Sequence, residues 1–243
     1  MPNTEQELRV MSEQAVDLLD KLIMQKELPR GTEALPRGKV VKAKGLLFML
    51  SKKVGIAASI QHGHGFLIAK LPGVGGEDSW SAPVFVKIRS GGVGITLGVS
   101  EIKSISVVKS EAALKGLLEF QIGISADIRT ALGTSDAAER PGTTFGSPAA
   151  MRDIVSYSIA QGHMVDLSLR GGCLSLDEDA ARAAYGPGVD QAKALTGDLE
   201  LPAPLKSLYA ALDKVHADYK VELVEHAEDK RLFSGEDPKL RLF

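Results

Sequence analysis

The chain has 243 residues, 44 % of them apolar and 25 % charged, with a formal net charge of −2. That length can bury a full core, the composition is globular rather than disordered, and the near-neutral total provides no overall field for nucleic acid or anionic lipid. The single cysteine, Cys173, excludes an internal disulfide framework and a cysteine-rich zinc site, and reads as an inert core thiol in a reducing compartment. No apolar run approaches the ~18 residues of a membrane span. The first residues lack the cationic and apolar regions of a secretory signal, so a cytoplasmic protein is expected.

Residues 4–27 read as a helix. Thr4 and Glu7 have capping-box spacing, and Leu8, Met11, Ala15, Leu18, Leu19, Leu22 and Ile23 recur at intervals of three and four. Such a stripe suits a membrane surface or a core. Glu5, Glu7, Glu13, Asp17, Asp20 and Glu27 outnumber Arg9, Lys21 and Lys26, so packing on the protein's own sheet is expected. After Pro36 a short helical piece, 37–44, opens a run of cations with no acid among them: Arg37, Lys39, Lys42, Lys44, Lys52 and Lys53. Most charge runs are simply solvated faces. Here a turn beyond the apolar segment 46–50 would return Lys52 and Lys53 to the side of the others, making one cationic edge.

From Val54 the period changes to two, and Val54, Ile56, Ala58 and Ile60 predict the buried face of a strand. His62-Gly63-His64-Gly65 reads as a turn with two solvated imidazoles, since no third ligand is spaced to complete a metal site. Residues 66–71 are apolar on both faces, which predicts a strand covered on both sides. Residues 72–79 read as a loop. Val84, Val86 and Ile88 alternate next, then Val93, Ile95, Leu97 and Val99 opposite a nearly bare face of Gly92, Gly94, Thr96 and Gly98. This glycine run lies inside a strand pattern instead of opening a helix, so it is not a dinucleotide fingerprint.

Ser110 is placed to cap a helix over 111–118, and Ile122, Ile124, Ala126 and Ile128 predict a strand before a Gly/Ser/Thr/Pro-rich segment, 130–150. Two strands about a turn at Gln161-Gly162 follow, with a second turn or bulge at Gly171-Gly172. Asp177 is placed to cap 178–185, and Gly186-Pro187 to stop it. A last helix is expected over 205–230. The fold class predicted is α+β: a mostly antiparallel, strongly coiled sheet or barrel-like core flanked by N- and C-terminal amphipathic helices. No nucleophile–base–acid order, paired carboxylates or phosphate loop stands out, so no enzyme, cofactor or metal is expected.

Taken in order, the motifs resemble the SYLF domain. They are Ala43-Lys44-Gly45, Gly63-His64-Gly65, Ala69-Lys70-Leu71-Pro72, Trp80-Ser81-Ala82-Pro83, the strand through Gly94 and Gly98, Tyr157-Ser158 with Gly162, Leu167-Ser168-Leu169, and Ala184-Tyr185-Gly186. The departures are His64 in place of a small residue, Ile102-Lys103 in place of Thr-Asp, and Ala181 in place of Asn. The resemblance divides the chain into an N-terminal helix and linker (1–34), a SYLF-like domain (35–188), and a linker, C-terminal helix and tail (189–243). It implies a non-enzymatic module that binds acidic phospholipids, phosphoinositides foremost, at a membrane surface, and in some members actin filaments. Each Lys or Arg beside an anionic leaflet gains about 1 kcal/mol, so Arg37, Lys39, Lys42, Lys44, Lys52 and Lys53 form the expected lipid-binding set. Family motif and charge argument meet at Lys44. The alternative is an actin-binding or assembly subunit whose terminal helices contact proteins; nucleic acid is not an expected partner.

Overall fold

The computed structural model describes residues 4–24, 28, 32–71, 78–119 and 153–234. Helix α1 (Thr4–Met24) and the short α2 (Arg37–Lys42) precede strand β1 (Gly45–Leu71). Strands β2 (Ser79–Trp80) and β3 (Val84–Val108), helix α3 (Glu111–Glu119), strand β4 (Ile154–Leu176) and helix α4 (Glu178–Tyr185) follow. Tight helical turns at Gln191–Thr196 and Ala203–Leu205 lead into α5 (Lys206–Ser234). The expected strand over 122–128 lies outside the described residues.

The strands form an antiparallel sheet in the order β2-β1-β3-β4. A straight strand as long as β1 would span roughly 90 Å at ~3.3 Å per residue. Yet the Lys70 amide donates to the Lys44 carbonyl at 2.9 Å, so β1 doubles back on itself, with a register shift between Ile56 and Ala58. β3 follows this bend, pairing residues 97–108 with the first arm of β1 and 84–93 with the second. β4 follows β3 in turn, from Val86↔Leu176 to Val108↔Ile154. Counting each arm separately gives seven strands among the described residues, and the sheet is not closed.

Three expected reversals are therefore strand. His62-Gly63-His64-Gly65 lies within β1, Gln161-Gly162 lies within β4, where it pairs with Glu101 and Ser100, and Gly171-Gly172 continues β4 opposite Gly91 and Ser90 with neither turn nor bulge. Gly63 and Gly65 serve close approach instead of reversal. A Cβ on Gly65 would sit 1.9 Å from the Phe48 carbonyl oxygen, and one on Gly63 2.4 Å from that of Leu50. The two arms of β1 are pressed together there.

Both faces of the arms are covered near the helices. On one face Leu46, Phe48, Leu50, Phe66, Ile68 and Phe85 pack with α1, α2, α4 and α5, and Phe48 stacks on Phe66 with ring centres 5.0 Å apart. The α1 stripe expected to seek a core is buried in it, including Leu18, Leu19 and Leu22. On the other face Leu47, Met49, Leu67, Val84 and Val86 pack against Ala113 of α3 and Ala194. The two-sided burial expected for 66–71 is present at Phe66, Leu67, Ile68 and Ala69. The caps hold as well: the Asp177 carboxylate accepts from the Ala180 amide at 3.2 Å, the Ser110 hydroxyl from that of Ala113 at 3.2 Å, and Gly186 ends α4 at φ +90°.

One expectation reverses. Val54 and Ile60, predicted to face inward, are 47 % and 67 % exposed, while Lys53, of the opposite parity, is 2 % exposed. The helices stop short of this end of the sheet, so the face that is interior at Leu50 is bare at Val54.

Two tyrosines tie the segment before β3 to the helices. The Tyr209 hydroxyl donates to the Ser81 carbonyl at 2.5 Å and that of Tyr185 to the Pro83 carbonyl at 2.6 Å. Burial raises both phenols well above their ordinary value. A raised folded value means the stabilisation is complete below the unfolded pKa of ~10 and lost as pH rises above it. Stability measured against pH is thus expected to decline above roughly pH 10. Tyr209→Phe should cost about 1 kcal/mol at neutral pH and shallow that decline; an unaltered alkaline limb would refute the assignment.

Candidate functional site

Six cations were expected on one edge, and the fold separates them. In α2, Val40 is buried and the backbone turns extended at Ala43 (φ −63°, ψ 145°), which ends the helix at Lys42, short of the expected residue 44. The next residue is already committed to the sheet: the Lys44 amide donates to the Val108 carbonyl at 2.8 Å, and its carbonyl accepts from the Lys70 amide. Three chain segments therefore meet, and Lys42, Lys44 and Lys109 are exposed where they do. The Lys39 ammonium donates to the Tyr157 hydroxyl at the same edge, 5.1 Å from the ring centre.

Lys70 forms the inner wall of this edge. Its ammonium donates to the Val41 carbonyl, lies 3.5 Å from Asp78 and sits 5.3 Å from the centre of the Trp80 ring. Burial holds its pKa below the ordinary lysine value, the Asp78 carboxylate opposes that, and the positive charge of Lys44 adds to it. Lys44 is 3.7 Å from Glu111, but both side chains are exposed, and such a pair is worth at most ~1 kcal/mol. The edge stays available to an external anion.

The other three expected cations are elsewhere. Arg37 is a clamp: one guanidinium nitrogen lies 3.3 Å from Glu222 of α5 and another 3.2 Å from the Met24 sulfur of α1. Lys53 is buried, which corrects its placement on a solvent edge. Lys52 is exposed, but eight residues along the arm from Lys44, roughly 26 Å in extended chain. There it pairs in register with Glu101 and lines a cleft of about 890 Å³ with His62, His64, Lys87 and Arg89, walled by the N-terminal half of α1. Sequence reasoning missed Lys87, Arg89 and Lys109. Lys87 and Arg89 share one face of β3 and Lys109 follows its end, far in sequence from the early cations, and only cross-strand pairing brings them near those. Among the described residues no three His, Cys, Asp or Glu side chains group as metal ligands, and no helix is long and apolar enough to cross a membrane.

Comparison with known proteins gives this geometry a family. The sequence model named Ysc84, described as "Las17-binding protein actin regulator", matches residues 89–215. The chain is 25 % identical over 189 residues to "SH3 domain-containing YSC84-like protein 1" of Bos taurus, covering 77 % of this chain and 53 % of that protein. It is 29 % identical over 184 residues to an SH3 domain-containing protein of Schizosaccharomyces pombe, covering 74 % and 41 %. To "Protein YSC84" of Saccharomyces cerevisiae it is 24 % identical over 210 residues, covering 85 % and 43 %. The chain thus spans about half the length of the curated relatives it matches. No solved structure matches it. With the family model covering more than half of the chain and the SYLF motifs falling on the pressed arms, the Trp80 segment and the capped α4, this protein belongs to the Ysc84 (SYLF) family.

Proposed function

We propose that the chain is a non-enzymatic module that docks at the cytoplasmic surface of membranes on anionic phospholipid headgroups, phosphoinositides foremost, through its α2 edge. The observation that carries this reading is the gathering of Lys39, Lys42, Lys44 and Lys109 where α2, β1 and β3 meet, faced by the exposed, weakly bound Glu111. Of the six cations expected from sequence, Lys39, Lys42 and Lys44 remain in the proposed site. Arg37, Lys52 and Lys53 leave it, because the first is committed to Glu222, the second lies along the arm opposite Glu101 and the third is buried. Removing two ammonium groups, as in K42A/K44A, should cost about 2 kcal/mol, or roughly 30-fold in affinity. Sedimentation with phosphoinositide-containing liposomes at two salt concentrations tests this, since electrostatic binding weakens with screening. Unchanged pelleting of the double variant, or indifference to salt, discards it.

A second reading, with actin or an actin regulator as partner, is favoured by the family description and by Val221, Leu223 and Val224, all exposed on α5 beyond its packed half. Filament co-sedimentation that is lost in V221D/V224D, but retained in K42A/K44A, would support it.

A further inference from the structure

We propose that the far end of the sheet, where β1 doubles back, is a second membrane contact, one that dips aliphatic side chains into an anionic bilayer. This rests on the phospholipid reading above but uses none of the α2-edge residues.

Strand register sorts this end into rows. The last row before the bend at residues 56–58 pairs Val54 with Val99 and Ile60 with Gly91. Lys52 pairs with Glu101 and His62 with Arg89 in the next, and Leu50 with Lys103 and His64 with Lys87 behind that. All lie on the face that carries Phe48, Phe66 and Phe85 further in, because side chains two apart share a face. Val54, Val99 and Ile60 are 47 %, 55 % and 67 % exposed, and a Cβ built on Gly91 would meet nothing within 4 Å. That row is aliphatic and uncovered.

The spacing of the charges argues for a bilayer over a second protein. Two residues of strand are about 7 Å, so the row with Lys52, Glu101, His62 and Arg89 sits that far behind Val54 and Ile60. An interfacial element buries its apolar side ~5–10 Å into the headgroup and acyl boundary. Aliphatics at that depth would leave the cations level with phosphate. Of the acids lining the cleft, Glu101 is 3.5 Å from Lys103 and Glu7 belongs to α1. Asp177, whose amide bonds the Phe85 carbonyl, stands roughly 20 Å behind Gly91, six strand residues away. The row behind Val54 and Ile60 thus sets Lys52 and Arg89 against the one acid Glu101, a positive balance toward an anionic surface.

The test uses the full chain with Cys173→Ser and Ile60→Cys, carrying an environment-sensitive fluorophore, against a matched label at exposed Asp213 of α5. The probes are phosphatidylcholine vesicles with and without phosphatidylserine or a phosphoinositide. The expected result is a blue shift at position 60, quenched by nitroxides on the acyl chains, with no change at position 213. V54D/I60D, at exposed positions that leave the fold intact, should lose roughly tenfold or more of the binding that survives high salt. Position 60 remaining in water on vesicles that do bind overturns the tip contact and leaves the α2-edge reading standing. Insertion at position 60 that persists in K42A/K44A supports the tip contact, whatever becomes of that edge. Wild-type chain that binds no anionic vesicle overturns both, and V54D/I60D converting a dimer to a monomer overturns the bilayer in favour of a second copy.

Discussion

Gly65→Ala is expected to be the most damaging single methyl group in the protein. Its Cβ would lie 1.9 Å from the Phe48 carbonyl oxygen, 2.7 Å from the Met49 sulfur and 2.9 Å from the Phe48 carbonyl carbon. The sulfur can swing away; the carbonyl is backbone of a strand held in register by the Phe48↔Ile105 pairing and cannot. Relief requires the two arms of β1 to part, and with them the stacked Phe48–Phe66 pair at the centre of the core. Overpacking a core typically costs 1–3 kcal/mol and here should reach or pass the upper end, about 3 kcal/mol. In a chain of this size that lowers Tm by roughly 6–12 °C. Gly91→Ala is the control, since nothing lies within 4 Å of its Cβ. Thermal unfolding in which the two variants lose equally would show that the arms are not pressed together as described.

Deleting α1 is expected to abolish cooperative folding. Leu8, Met11, Leu18, Leu19 and Leu22 are buried in the main cluster with Leu208 and Leu212 of α5, and Ser12 meets Ser207 at 2.9 Å with no exposure of its own. At ~1.5–3 kcal/mol per large side chain these five account for about 10 kcal/mol, comparable to the entire stability of a typical domain. The truncated chain should bind hydrophobic dyes and lack a sharp thermal transition. Leu19→Asp should move in the same direction, because it buries a carboxylate in a space matched to leucine. A truncated chain that stays soluble and melts cooperatively would mean that α1 is a detachable arm, and its stripe would again be open to a membrane role.

Local chemistry was legible where short-range pattern decides the outcome. The three-and-four spacing from Leu8 to Ile23 sufficed for α1 and for its burial. Ser110, Asp177 and Gly186 marked helix ends through groups a few residues apart. The two-sided apolar run at Phe66–Ala69 announced a strand covered on both faces. The resemblance carried by the ordered motifs pointed to the family that the sequence model then matched. Where a glycine pattern was read locally, the reading failed. Gly63 and Gly65 looked like a turn, because glycine at a reversal and glycine at a close approach leave the same mark in one sequence.

The amino-acid order by itself determined where the main helices lie, which of their faces are apolar, and that the early cations are numerous and free of intervening acids. Only tertiary structure decided how those cations are used. Lys52 and Lys53 are chemically identical neighbours, and strand alternation must send them to opposite faces; Lys52 falls on the face that α1 leaves open beyond Leu50, and Lys53 on the face buried with Ser51 and Gln61. Likewise Lys44 and Lys109 become neighbours only because the Lys44 amide bonds to Val108. Lys52, Lys87 and Arg89 share a cleft only because β3 follows β1 around its bend. Such pairings are set by backbone hydrogen bonds between residues tens of positions apart, and no local periodicity records them.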